Sequence, residues 1–280
     1  MEKDMLGNKK IAIIGAGHIG QALIEGFLKN NRKYSKNITI SSRTKSKLIL
    51  LRKKYHINIT TDNITAVNHA DYIFIAVKPF EVKNVIKEVA HIAKKKILIS
   101  LAAAVSINML HNYVQNSDYK IIRAMPNLSI SANKGVIGLY SNNNITLDEE
   151  QILIQFLSKL GLIIKLQTEN DLDKLTIISG CGPAIVSYFI KLLCQYGRFM
   201  KISDTVLLKM VLQVFIGTLK YLKENNISPD HLISSVSTKG GITETIIADL
   251  KLNKFKHIFN QAMNKGNDKI QKIKSLLTNN

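Results

Sequence analysis

Gly15-Ala16-Gly17-His18-Ile19-Gly20 lies between a β-branched run, Ile11–Ile14, and a segment with helical periodicity. Glycines at this spacing do three jobs. Gly15 permits a tight turn, Gly17 lets the backbone approach a pyrophosphate, and Gly20 lets helix and strand pack closely. The first amides of the helix, at His18 and Ile19, then face phosphate oxygens with the positive end of the helix dipole. The second β-branched run ends Ser41-Ser42-Arg43-Thr44-Lys45, with no acid. An Asp or Glu there would accept from a ribose 2′-hydroxyl. Hydroxyls and a guanidinium suit a 2′-phosphate instead, so Ser42 and Arg43, with Lys45 beside them, favour NADPH over NADH. Ala76-Val77-Lys78-Pro79 ends a third run and turns into a helix, which puts Lys78 at a strand's carboxyl end. Far downstream, Gly240-Gly241 precedes a further helical segment and exposes backbone amides, a ready anion site. Its plainer reading is a glycine-rich turn between helices.

The elements that must position these residues follow from periodicity. Strands are expected at Lys10–Ile14, Ile38–Ser42, Tyr72–Val77, Lys96–Leu101, Lys120–Ala124, Gly135–Tyr140 and Leu162–Gln167. Helical patterns fill Gly17–Asn30, Ser46–Tyr55, Pro79–Ile92, Ser106–Tyr113 and Leu147–Leu160. Strands separated by helices argue for βαβ units and a mainly parallel sheet. Asp148, Glu149 and Glu150 fall in the first turn of the last of these helices, where the dipole favours acids. After Thr168 the strand signal ends. Ile185, Tyr188, Phe189, Leu192 and Leu193, then Leu207, Leu208, Val211, Leu212, Phe215 and Leu219, recur at helical spacing. These stripes are wider than a domain of about 110 residues would bury alone, which fits a helical dimerisation domain as well as an ordinary bundle core. The expected fold class is α/β: a Rossmann-type, mainly parallel domain over residues 1–168, then an all-α domain over 169–280.

Composition sets the outer limits. Across 280 residues, 46% are hydrophobic, enough for real cores and too many for a disordered chain. The 39 Lys and Arg against 20 Asp and Glu give a net charge of +19, which raises the question of nucleic acid. The bases are spread, in short runs such as Lys94-Lys95-Lys96, without the interleaved aromatics such a surface needs. Met1–Lys10 is charged and no signal-peptide core follows it. Thr176–Ile190 is apolar but short for a membrane span, and Gly180, Gly182 and Pro183 interrupt it. Cys181 and Cys194 make neither a disulfide framework nor a metal-ligand pattern, and the histidines are scattered. A cytoplasmic protein without metal, membrane or nucleic-acid partner is expected.

Three further segments are Arg123-Ala124-Met125-Pro126-Asn127, Ser179-Gly180-Cys181-Gly182-Pro183-Ala184 and Thr238-Lys239-Gly240-Gly241-Ile242-Thr243-Glu244. With the glycine fingerprint and Ala76–Pro79, in this order, they resemble the pyrroline-5-carboxylate reductase family from about Lys10 to Leu250. The resemblance implies a Rossmann domain, then a helical domain that joins two subunits, with dimers assembling into larger rings such as a decamer. It implies reduction of 1-pyrroline-5-carboxylate to proline by NADPH, with NADH as a second donor. For the site it implies that the backbone of Gly240, Gly241, Ile242 and Thr243 holds the substrate carboxylate. The Thr243 hydroxyl meets the imine nitrogen, and Thr238 lines the same loop. Asn63, Val77, Lys78, Pro79, Ala102 and Asn127 join the cofactor contacts, the last two beside the nicotinamide. Cys181 is expected to be a small packing residue. The family loop usually has Pro, Thr and a small residue where this chain has Lys239, Ile242 and Ile246. Its Met-Pro-Asn usually continues Thr-Pro, where Leu128-Ser129 stands here. The Lys-Gly-Gly-Ile-Thr form also resembles a competence-associated paralogue group, which leaves a non-catalytic, nucleotide-binding regulator as the alternative.

Overall fold

The computed structural model describes residues 9–29 and 31–278. Asn30, the expected end of the first helix, and the first eight residues lie outside them. The chain alternates β1 (Ile11–Ile14), α1 (His18–Lys29), β2 (Ile38–Ser41), α2 (Lys45–Tyr55), β3 (Asn58–Thr60), α3 (Asn63–Asn68), β4 (Tyr72–Ile75), α4 (Pro79–Ala93), β5 (Ile97–Ser100) and α5 (Ile107–Val114). It continues with β6 (Lys120–Pro126), β7 (Gly135–Ser141), α6 (Leu147–Leu157) and β8 (Gly161–Lys165). The eight strands form one sheet in the order β3-β2-β1-β4-β5-β6-β7-β8. Every pair is parallel except β6 with β7, whose short connection through a 3₁₀ turn at Leu128–Ala132 reverses the chain.

Strand alternation divides the apolar residues between two cores. Ile11 and Ile13 face Leu23, Phe27, Phe156 and Leu157, while Ala12 and Ile14 face Val82, Ile86, Val89 and Leu110. Phe27 anchors the first core, stacked on Phe156 at 4.4 Å and edge-on to Phe74 at 6.1 Å. Pairing Ile14 with both Ser41 and Ile75, and Ile75 with Ser100, ends four adjacent strands level with one another. A crevice opens there, where the order reverses between β1 and β4.

The short elements β3 and α3 are absent from the sequence expectation. Asn58–Thr60 is a three-residue polar edge strand with no buried residue to give it a period. Asp62 nonetheless caps α3, accepting from the Ile64 and Thr65 amides at 3.2 and 3.0 Å. The hydrogen bond from the Thr65 hydroxyl, with those two amides, holds the Asp62 carboxyl below its usual range.

After β8 come α7 (Glu169–Leu175), a π turn at Thr176–Gly180, α8 (Gly182–Tyr196), α9 (Asp204–Asn225), α10 (Pro229–Val236), α11 (Ile242–Leu252) and α12 (Phe255–Thr278). No strand follows β8 among the described residues. The compact units of the structure run past residue 168. One compact unit runs through Pro183 and regains the chain from Asn267 onward; the other is Ala184–Gly266. The cause is ionic and apolar together. Arg123 on β6 holds Glu169 and Asp173 of α7, and Leu277 of α12 packs into the second core.

The helical unit is nearly coreless by itself. Only Leu207, Val211 and Gly197 are buried in it, beside a cluster of Phe189, Phe255 and Phe259 with rings 6.2 to 6.5 Å apart. Tyr196, Ile216 and Leu219 are 78%, 57% and 62% exposed, far more apolar surface than a lone soluble chain leaves wet. Two helical stretches, Glu169–Phe199 and Asp204–Asn225, are long and apolar enough to cross a membrane by length and composition. The sequence expectation of too short a span fails for the first because the π turn carries the helix past Gly180. Pro183 then sits in the first turn of α8, where its missing amide hydrogen is harmless.

Candidate active site

The crevice is built on two glycines that admit no side chain. Gly15 has φ +112°, and a Cβ on it would lie 2.6 Å from the Ala76 carbonyl oxygen. A Cβ on Gly20 would lie 2.1 Å from the Gly15 carbonyl oxygen. The turn is tied down by Gly15 N–H donating to Ser41 O at 2.9 Å and by the Gln21 side chain donating to Ala16 O at 2.8 Å. Gly17 differs: the nearest atom to its Cβ would be Ala76 O at 4.0 Å, so its small size leaves open space. His18 is exposed and Ile19 half-buried at the start of α1. This is an amide-lined cradle with room for a pyrophosphate.

Around it the structure gathers the expected residues. Ser42 donates its backbone N–H to Thr60 O at 3.3 Å, and its hydroxyl accepts from Thr44 N–H at 3.3 Å. Asn63 is held on both sides, accepting from the Ser41 hydroxyl at 2.7 Å and donating to Glu88 at 2.8 Å. Val77, Lys78 and Pro79 form the turn into α4, where Lys78 N–H donates to the Glu81 carboxylate at 3.3 Å. Arg43, 89% exposed, pairs with that same carboxylate. Glu81 was not among the expected site residues. Its signal was legible: a Glu three residues after the position preceding Pro79 is a capping-box spacing.

Ala102 and Asn127 are both buried within the chain. Ala102 is 3% exposed. The Asn127 amide is committed to protein, donating to Ser179 O at 3.1 Å and accepting from Val136 N–H at 3.2 Å. Asn127 thus fastens the π turn to β6. Cys181 is exposed rather than packed, because the turn ends at it and α8 then leads the chain into the other unit.

In the helical unit, the loop Ser237–Gly241 leads into α11. Gly240 has φ +74°, the left-handed region where glycine is at ease. A Cβ on Gly241 would lie 2.5 Å from Thr238 Oγ1 and 2.9 Å from the Thr238 carbonyl oxygen. Both glycine amides are used within the loop: Gly240 N–H donates to Glu244 at 2.6 Å and Gly241 N–H to Thr238 O at 2.9 Å. Two of the four backbone amides expected to hold the carboxylate therefore have partners within the loop. Glu244 supplies an internal carboxylate for the first. Gly241 is the N-cap of α11 and offers no capping side chain, so the Ile242 and Thr243 amides open toward the loop. Ile242 is 83% exposed and Thr243 half-buried. Among the described residues no group of His, Cys, Asp and Glu is arranged to hold a metal ion.

The strand order, the level strand ends and the glycine cradle define a dinucleotide-binding Rossmann protein with an added helical unit. Residues 10–104 match the family described as NADP oxidoreductase, coenzyme F420-dependent, and residues 169–273 match pyrroline-5-carboxylate reductase dimerisation. Over nearly its whole length the chain is similar to pyrroline-5-carboxylate reductases. It is 29% identical over 264 residues to the Aquifex aeolicus reductase, covering 94% of this chain and 97% of that one. It is 27% identical to the reductase of Corynebacterium melassecola, over 90% of this chain and 94% of that one. The crystal structure of Plasmodium falciparum pyrroline carboxylate reductase with NADP bound superposes with a TM-score of 0.87 at 28% identity, covering 95% and 98% of the two chains. That of the Coxiella burnetii reductase gives 0.84 at 25%, with the same coverage.

Proposed function

We propose that this chain reduces 1-pyrroline-5-carboxylate to L-proline with NADPH, the last step of proline biosynthesis, in the cytoplasm. The observation that carries this reading is full-length similarity to reductases of that name, one of them with NADP bound. The glycine cradle on this chain's own first strand fits that cofactor, since Cβ atoms at Gly15 and Gly20 would collide with the backbone that shapes it. Gly15, Gly17, His18, Ile19 and Gly20 hold the pyrophosphate, while Ser42 and Arg43 face the 2′-phosphate. Asn63, Val77, Lys78 and Pro79 shape the rest of the crevice, and Ala102 and Asn127 its nicotinamide end. Bound NADPH supplies the hydride.

The protein's own work is binding, orientation and proton control. The substrate is a cyclic imine bearing a carboxylate, and its carbon accepts hydride readily only when the nitrogen is protonated. The Ile242 and Thr243 amides, at the positive end of α11, receive the carboxylate. Gly240, Gly241 and Thr238 keep the loop in the shape that presents them. Lys239 adds a positive charge to the same loop, which compensates for the Glu244 carboxylate. The Thr243 hydroxyl contacts the ring nitrogen and holds the imine in one orientation.

The exposed apolar faces of α8 and α9 are covered by a second copy of the chain rather than by lipid, as the dimerisation match supports. The all-α part from residue 169 onward acts as the dimerisation and substrate domain, and the dimer is the unit from which larger rings such as a decamer are built.

The test is loss of nicotinamide absorbance when the protein, NADPH and pyrroline-5-carboxylate are mixed. Thr243→Val should lower turnover at least about tenfold, one hydrogen bond's share of the barrier, with NADPH affinity unchanged. NADPH binding without substrate-dependent oxidation would refute the enzyme and leave a nucleotide-binding regulator.

A further inference from the structure

The strand end that faces the cofactor's ribose carries no acid of its own, yet the structure puts one there from another element. Glu81, in the first turn of α4, pairs with the Arg43 guanidinium through Oε1 and accepts the Lys78 amide hydrogen at 3.3 Å through Oε2. The carboxylate is therefore anchored by the helix terminus. Arg43 is 89% exposed, and Glu81 is its one ion-pair partner among the described residues.

We infer that Glu81 sets the balance between NADPH and NADH, an inference that rests on the dinucleotide reading of the crevice. The two cofactors differ only at the 2′ position, by a hydroxyl or a phosphate. An anchored carboxylate accepts from a hydroxyl and repels a phosphate. Arg43 does the reverse, and an exposed pair of this kind is weak enough to be broken at little cost. With NADH, Glu81 takes the hydroxyl and Arg43 stays to neutralise it. With NADPH, Arg43 turns to the phosphate while Glu81 remains nearby as an uncompensated negative charge. Arg43 alone would give strong NADPH selectivity. The Glu81–Arg43 pair makes the site tolerant of both.

Glu81→Gln separates this role from helix capping, because glutamine at the third helical position still accepts from the Lys78 amide. NADPH and NADH are titrated separately against the purified full-length chain, by the change in their own fluorescence, for the wild type, Glu81→Gln and Arg43→Gln. Glu81→Gln should tighten NADPH while leaving NADH equal or weaker, shifting the ratio of dissociation constants toward NADPH by about fivefold, the order expected on removing one like charge at an exposed site. The shift should shrink at high salt. Arg43→Gln should move the ratio the other way. If both cofactors bind and Glu81→Gln leaves their ratio within error of wild type, the inference is overturned. If neither binds the wild type, the dinucleotide reading itself fails.

Discussion

Arg123 and Asp173 form an ion pair at 2.9 Å in which the arginine side chain is 0% exposed and the aspartate 2%. Arg123 also reaches Glu169 at 2.9 Å, and Lys274 near the end of α12 meets the second Asp173 oxygen. That oxygen makes no aligned hydrogen bond, nor does Arg123 Nε, while Arg123 Nη1 and Nη2 donate to Glu169 and Asp173. It ties α7 and the last turns of α12 to β6, four residues before Asn127. Taking one partner out strands a buried charge. Asp173→Ala should lower the unfolding free energy by roughly 3 kcal/mol or more, read from urea denaturation at fixed protein concentration. Adding Arg123→Met should cost less than the sum of the two single changes.

Glu150 makes stability depend on acid. Burial pushes its carboxyl up, but hydrogen bonds from Lys165 and the Ser141 hydroxyl outweigh this, and it rests below the ordinary 4.5. Its contribution is therefore complete above the unfolded value and disappears as pH falls through the folded one. Glu150→Gln should lower stability at pH 7 and flatten its decline below about pH 4.5, as followed by thermal unfolding across pH.

Glycines at the cradle should divide into folding and binding effects. Gly20→Ala drives a Cβ into the Gly15 carbonyl, with 2.1 Å between them, so both melting temperature and NADPH affinity should fall. Gly17→Ala meets nothing closer than 4.0 Å within the chain. Its melting temperature should stay near wild type while NADPH affinity drops about tenfold or more, because the loss falls on the approach of the pyrophosphate alone.

The apolar helical unit should hold the protein as at least a dimer. Sedimentation should give no less than twice the mass of one chain. Leu219→Glu with Ile216→Glu, placed on α9 where both are more than half exposed, should shift the mass toward one chain while leaving the buried Leu207 and Val211 of the same helix in place.

Much of this organisation is legible in the sequence. Ile11–Ile14 and Tyr72–Ile75 read as strands because every residue in them is buried, as a central parallel strand requires. The glycine spacing at Gly15–Gly20 announces the cradle because only glycine satisfies its backbone contacts. What stays hidden depends on pairing through space. β3 is polar and only three residues long. The Glu81–Arg43 pair joins residues 38 apart, and Arg123–Asp173 residues 50 apart. Glu244 closing on the Gly240 amide needs the left-handed turn to be seen, although the spacing of four residues is in plain view. The compact sheet-bearing unit reaches past Thr168 for the same reason: ion pairs in the interior tie α7 to β6.

The central claim is hydride delivery to a ring imine, and isotope transfer tests it most directly. The protein would be incubated with 1-pyrroline-5-carboxylate and NADPH carrying deuterium at both positions of nicotinamide C4. The expected product is L-proline with one deuterium at C5, formed in step with NADPH loss. Absence of proline, or proline without the label at C5, would contradict it.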